Sequence, residues 1–216
     1  VSIEPMGDFY DQVDVDDLQI MNVLMKDDSI QTSLIVGIEH AGYEINYVSN
    51  QTVYLTYKYL TPDTLKIGDI IVSVNGETDL DIAFDAIECG DYADFIVLRD
   101  GEEITVRPQR QELDGNRCSI GIYLLPYTEI EDTEVEYEIY DTNTGGPSGG
   151  LMQSLFIYNQ LTDVDYSLNM KIGGTGTIDV DGNAGYIGGV REKIITAIGN
   201  NIDIFFIPYL ADTDND

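Results

Sequence analysis

Residues 144–161 read TGGPSGGLMQSLFIYNQL. Four glycines and a proline surround Ser148, and behind them Leu151, Leu155, Ile157 or Tyr158, and Leu161 recur at the spacing of an amphipathic helix. The segment therefore predicts a tight turn that sets Ser148 at a helix entrance. In one reading Ser148 is an N-cap and the glycines only make the turn. In the other, the glycines keep side chains away so that a substrate backbone reaches Ser148 Oγ, while N–H groups at the helix start stabilise an oxyanion. A phosphate cradle is a third reading, but GxxxxGK[ST] is absent and no lysine lies between Lys66 and Lys171, which argues against Walker-type ATP hydrolysis.

A second glycine-rich stretch follows at 171–195, KIGGTGTIDVDGNAGYIGGVREKII. Asp181-Gly182 predicts a hairpin turn; the surrounding DVDGN lacks the remaining ligand spacing of a calcium loop. Ile187-Gly188-Gly189 opens another helix, with Lys193 in its first turn or two. A lysine on a helix is ordinarily a solvated charge. Here the glycine-rich entrance, the apolar neighbours Ile194 and Ile195, and the presence of only four other lysines, Lys26, Lys58, Lys66 and Lys171, give Lys193 a second reading as a base.

Composition narrows the chemistry. The 216 residues hold 40 Asp and Glu against 10 Lys and Arg, a formal charge of −30. Such a surface repels phosphate backbones and anionic headgroups, which excludes charge-driven binding to nucleic acid or a membrane surface. An apolar fraction of 43% with 21 Gly is ordinary for a folded chain. No apolar run approaches the roughly 20 residues of a membrane span. The chain starts at Val1 without a signal-like segment, so an anchor is expected to lie outside it. With His40 as the only histidine and Cys89 and Cys118 as the only cysteines, a Cys/His zinc site and a CxxC redox pair are both ruled out. His40 reads as a helix-surface residue near a C-terminus capped by Gly42, and the two cysteines read as half-buried thiols. Any proton-transfer partner for Ser148 is then expected among Lys, Asp and Glu.

Upstream, a helix is predicted from about Asp28 to Ala41, with Asp27, Asp28 and Ser29 as N-cap candidates. Residues 44–59 predict a hairpin turning at Ser49-Asn50. A turn at Pro62, a strand at Ile70 to Val74, an Asn75-Gly76 turn, a helix over about Leu80 to Glu88 and two strands around Asp100-Gly101 follow. The stretch 134–141, EVEYEIYD, alternates strictly and predicts a strand whose Glu134, Glu136 and Glu138 face water rather than hold calcium.

The motifs at Leu65-Lys66-Ile67-Gly68-Asp69-Ile70-Ile71, Val74-Asn75-Gly76 and Val97-Leu98-Arg99-Asp100-Gly101 resemble a PDZ domain of the kind attached to bacterial proteases. The resemblance implies a groove that binds a peptide as an added strand. By position its edge is Val53-Tyr54-Leu55, facing the helix around Ile82, Ala83 and Ala86. The segments GGPSGGLMQSLFIYNQL, GGTGTIDVDGNAGYIGGVREK and DIFFIP are similar to the proteolytic domain of Lon-type peptidases of family S16. With the PDZ block before them, and with MKDDSIQTSLIVGIEHAG at 25–42, they resemble the Lon-like, membrane-anchored PDZ proteases of bacteria.

That resemblance implies an α+β chain: a helical N-terminal segment over 1–50, a PDZ domain over 51–112 and a Lon-type α/β proteolytic domain over 113–216. Gly149 stands where the family commonly has Ala, and the family's domain normally continues past FIPYLADTDND, so truncation is implied as well. It further implies a Ser–Lys dyad in which Ser148 attacks the peptide carbonyl and Lys193 takes and returns the proton. Thr175 would orient the ammonium, and the Gly146 and Gly149 N–H groups are candidates for the oxyanion. A lysine amine, ordinarily near pKa 10.4, acts as a base only when brought to about 7–8. Lys193 is therefore expected in an apolar, carboxylate-free pocket with Glu192 turned away. The implied activity is ATP-independent cleavage of unfolded or short peptides at the extracytoplasmic face of a bacterial membrane, with no cofactor or metal, by a chain that self-associates into a ring. A catalytically inert PDZ peptide-binding module is the alternative, and a small-molecule kinase of related fold type a more distant one.

Overall fold

β-branched and aromatic residues dominate positions 45–56, and they build one long strand where Ser49-Asn50 had predicted a turn. In the computed structural model, which describes residues 13–57, 60, 64–113, 117–140 and 145–209, β1 runs unbroken over Ile45–Thr56. Neither Ser49 nor Asn50 adopts the positive φ that a tight hairpin turn needs. The two turns that do form carry that signature. Asn75 and Gly76 have φ of 52° and 82°, and Asp100 and Gly101 have 53° and 81°. The first follows β2 (Ile70–Val74) and the second joins β3 (Phe95–Arg99) to β4 (Glu102–Val106).

Helix α1 extends over Val15–His40, well before the predicted start at Asp28. Asp14 caps it: its Oδ1 accepts the Asp16 N–H at 3.1 Å and its carbonyl the Leu18 N–H at 3.0 Å. Asp28 and Ser29 lie mid-helix because tertiary partners take their polar groups. Asp28 Oδ1 accepts the Thr128 N–H at 2.7 Å, and Ser29 Oγ donates to Pro147 O at 3.0 Å. The helix ends where expected. Gly42 takes φ of 90°, the Tyr43 N–H reaches Ile38 O at 3.2 Å, and exposed His40 sits in the last turn.

The remaining elements are α2 (Leu80–Asp85), β5 (Gln111–Leu113), β6 (Arg117–Ser119), β7 (Ile122–Thr133), α3 (Gly150–Thr162), β8 (Ile172–Gly174), β9 (Thr177–Ile178), β10 (Ala184–Gly185), α4 (Val190–Gly199) and β11 (Ile204–Phe206). The five-stranded sheet has the order β4-β3-β2-β1-β7. β8 pairs with β11 in parallel, and β9 pairs with β10 around the predicted Asp181-Gly182 turn, where the Asp179 carboxylate accepts the Asn183 N–H at 2.8 Å. Glu134 to Tyr140 form no strand. β7 ends at Thr133, and nearly every side chain after it is exposed, so the alternation has no apolar face to bury. The predicted Pro62 turn, Thr144 and the tail from Leu210 lie outside the described residues.

The chain divides into two compact units, 1–24 with 49–127 and 25–48 with 128–216. Residues 25–48 thus fall in the same compact unit as the C-terminal part. In the first unit Val53, Leu65, Ile71, Val74, Phe95 and Val97 form the core. Buried Asp69 explains the Gly-Asp motif: Arg99 grips both its oxygens at 2.7 Å, and the Lys66 N–H adds a bond at 2.8 Å. Cys89 and Cys118, expected as thiols, form a disulfide with Cα atoms 5.7 Å apart. In the second unit Leu34, Ile35 and Ile38 of α1 are buried. Gly37 lets α3 approach so closely that a Cβ there would fall 2.7 Å from the Ile157 side chain. Among the described residues no helix is long and apolar enough to cross a membrane.

Burial raises the Asp28 carboxyl pKa above its ordinary 3.8, against the opposing hydrogen bonds from Thr128. A raised carboxyl pKa costs no stability below the unfolded value, and the cost grows as the pH rises through the folded value. Asp28→Asn keeps an acceptor for Thr128 and removes the charge. Its urea midpoint should equal or exceed the parent's at pH 7, with the two converging below about pH 3.8. A variant destabilised equally at both pH values would contradict this.

Candidate active site

Helix α3 begins at Gly150 with Gly149 as its N-cap, and no side chain caps it. The N-cap reading of Ser148 therefore fails: the serine lies one residue too early, and its hydroxyl bonds to none of the described residues. Half-buried Ser148 instead lines a cavity of about 640 Å³.

The backbone around it is held on two sides. Ser148 O accepts the Gly176 N–H at 2.9 Å and the Thr175 hydroxyl at 3.0 Å, and the Leu151 N–H returns to Gly176 O at 3.1 Å. Thr175 is 3% exposed, and its own N–H donates to Phe206 O of β11 at 2.9 Å. The glycines make this close approach possible. A Cβ on Gly174 would stand 2.5 Å from Met152 Sδ and 3.0 Å from Phe206 O; one on Gly176 would stand 3.1 Å from Leu151 Cβ.

Lys193 enters the cavity from the first turn of α4, whose N-cap Gly189 takes the left-handed conformation with φ of 65°. Its Nζ donates to Thr175 Oγ1 at 3.1 Å. The Thr175 hydroxyl thus gives its one proton to Ser148 O and offers a lone pair to Lys193. The structure brings Ser148, Thr175, Lys193, Gly146 and Gly149 to one cavity. Serine and lysine are joined through Thr175, with no direct hydrogen bond between them.

Two expectations need correction. Glu192 lines the same cavity, so the pocket is not carboxylate-free, because the first two turns of α4 present Glu192 as well as Lys193 and Thr196 to it. No ion pair joins Glu192 to Lys193 among the described residues. Val53, Tyr54 and Leu55 provide no edge for a peptide. They are 0%, 1% and 1% exposed, on a strand that β2 and β7 flank on either side. A run of β-branched and aromatic residues marks a strand without telling its place in the sheet. The edge strands are β4 and β7, and a cavity of about 290 Å³ lies between Phe84 of α2 and Ile122 and Leu124 of β7, with Arg110 and Cys118 also lining it.

Sequence reasoning missed the contribution of α1. Lys26 and Ser29 line the site cavity, and Ser33 Oγ donates to Gly150 O at 3.1 Å. The available signal was a pair of serines four apart on the apolar face of a helix, of which Ser29 alone had a reading, as an N-cap candidate. His40 is not among the cavity residues, and no cluster of His, Cys, Asp and Glu among the described residues is placed to hold a metal ion.

These segments have a recognisable counterpart. Residues 131–215 match the Lon protease (S16) C-terminal proteolytic domain. The match spans both glycine-rich stretches, and it supports a Lon-type domain here and, in general terms, a serine peptidase of family S16 acting on peptides or proteins. No curated protein matches the chain.

Within the Lon-type domain, Gly174 tests the packing around Thr175. Gly174→Ala should destabilise the chain by about 1–3 kcal/mol and disturb Thr175, since Phe206 O belongs to the backbone and cannot yield as a side chain would. Thermal unfolding of the variant checks this, and an unchanged midpoint would count against the geometry.

Proposed function

We propose that this chain is an ATP-independent serine endopeptidase with Ser148 as nucleophile and Lys193 as general base. The observation that supports it best is a serine hydroxyl left out of the helix cap, on one cavity wall with a lysine that shares Thr175 with the serine's own backbone. Ser148 Oγ attacks the substrate carbonyl carbon while the neutral Lys193 amine takes the hydroxyl proton. The oxyanion of the tetrahedral intermediate is received by backbone N–H groups at the glycine turn, with Gly149 and Gly146 as candidates. Collapse breaks the C–N bond, Lys193 returns the proton to the leaving amine, and water hydrolyses the acyl ester by the same exchange. Thr175 orients the amine by accepting one of its N–H bonds.

The same proposal covers the first unit as a PDZ-like module that helps to bind substrate. A five-stranded sheet with a short helix and the buried Gly-Asp motif is consistent with it, and the groove then follows edge strand β7 beside α2 rather than β1. Unfolded or short peptides would enter as an added strand. An extracytoplasmic location at a bacterial membrane is in keeping with the Cys89–Cys118 disulfide, since disulfides persist chiefly in oxidising compartments. Exposed Phe156, Ile195 and Ile198 accord with self-association of the Lon-type unit.

Turnover of an unstructured peptide tests the central assignment. Ser148→Ala and Lys193→Ala should each lower kcat by at least about a thousandfold. Peptide binding with no turnover by the parent would favour the inert binding module, and parent-like rates in both variants would remove the dyad.

A further inference from the structure

The peptide bond between Pro147 and Ser148 is planar and trans, so its carbonyl and its N–H point in opposite directions. Whatever fixes the Pro147 carbonyl therefore aims the N–H of Ser148 itself. Two donors reach that carbonyl. The Gly150 N–H, at 3.2 Å, belongs to the same turn and moves with it. Ser29 Oγ, at 3.0 Å, belongs to α1, is 5% exposed, and lies 118 residues away in the chain. The peptide on the other side of Ser148 is fixed by Thr175 and Gly176, which hold Ser148 O and so aim the Gly149 N–H.

From this geometry we infer that Ser29 is a positioning residue. Its hydrogen bond to Pro147 O orients the Ser148 N–H as an oxyanion donor, paired with the Gly149 N–H that Thr175 and Gly176 orient. The inference rests on the Ser–Lys peptidase reading and adds to it a donor and a helix that the motifs do not contain. Ser29 touches no reacting atom; it acts through the peptide plane. The site is built for the contact. A Cβ on Gly150 would lie 2.8 Å from Ser29 Oγ, so α1 approaches the turn only because residue 150 is glycine. Ser33, one turn further along α1, provides an internal comparison. It is fully buried and its hydroxyl bonds to Ser29 O and Gly150 O, and the N–H of the Gly150–Leu151 peptide is already held by Gly176 O.

Removal of Ser29 Oγ releases a donor without deleting it, so the effect should fall at or below the roughly 10²–10³ loss seen when an oxyanion donor is removed outright. Ser29→Ala is expected to lower kcat on an unstructured peptide by about ten- to a hundredfold, with KM within about twofold. A peptide boronate, whose adduct on Ser148 Oγ is tetrahedral, should lose affinity by a similar factor, because it depends on the same donors. Ser33→Ala should change kcat by no more than about threefold, although the hydroxyl it removes is the more deeply buried of the two.

Rates are compared per folded molecule, from unfolding curves of each variant. Ser29→Ala with kcat and boronate affinity within twofold of the parent would overturn the inference, as would a loss that merely follows the unfolded fraction or that Ser33→Ala equals. If the parent does not cleave, or Ser148→Ala cleaves as the parent does, the peptidase reading fails instead. A parent that cleaves, a dead Ser148→Ala and a parent-like Ser29→Ala leave that reading standing and remove only the role of Ser29.

Discussion

A single hydroxyl, that of Thr175, organises the second unit. It has one proton and gives it to Ser148 O; it has lone pairs and offers one to Lys193 Nζ. Nucleophile and base lie 45 residues apart, one in the turn before α3 and the other on α4, and a freely rotating lysine could occupy many rotamers. Tying both to a residue that is itself almost fully buried, and whose backbone N–H is spent on Phe206 O, turns that freedom into one arrangement. The glycines follow from the same constraint, because Gly174 and Gly176 must let β8, α3 and β11 close to within van der Waals contact around Thr175.

The charge of −30 takes on a local meaning in this setting. Lys26 and Lys193, two of the five lysines, both line the cavity, and so does the Glu192 carboxylate. The pocket is therefore a mixed electrostatic site inside a strongly acidic chain, and not the carboxylate-free one that the need for a basic lysine had suggested. Screening by solvent at an exposed Glu192 makes this compatible with a neighbouring amine.

Features encoded within a few residues were legible in the sequence. Asn75-Gly76 and Asp100-Gly101 are turns with both residues in the left-handed region, Gly182 takes that region alone in the Asp181-Gly182 turn, and the glycine-rich stretches around Ser148 and Lys193 are the segments that the Lon-type match spans. What required a distant partner was not legible. Asp28 and Ser29 have cap chemistry, yet Thr128 and Pro147, more than 90 residues away, use it. Cys89 and Cys118 carry no spacing that announces a bond; the packing of the first unit brings them together. Residues 134–140 alternate like a strand but have nothing to cover. Val53 to Leu55 look like any strand, and only the sheet order reveals that both their sides are taken. The assignment of 25–48 to the C-terminal unit has the same origin, since a helix does not declare in its own sequence which neighbour will bury it.

The central claim is that Ser148 Oγ is the nucleophile. Incubation of the full chain with a serine-reactive peptide β-lactone, followed by peptide mapping in a mass spectrometer, tests it most directly. The account predicts one stoichiometric acyl adduct, located on Ser148 and absent when Lys193 is replaced by alanine. An unlabelled chain, or an adduct on any other residue with Ser148 intact, would contradict it.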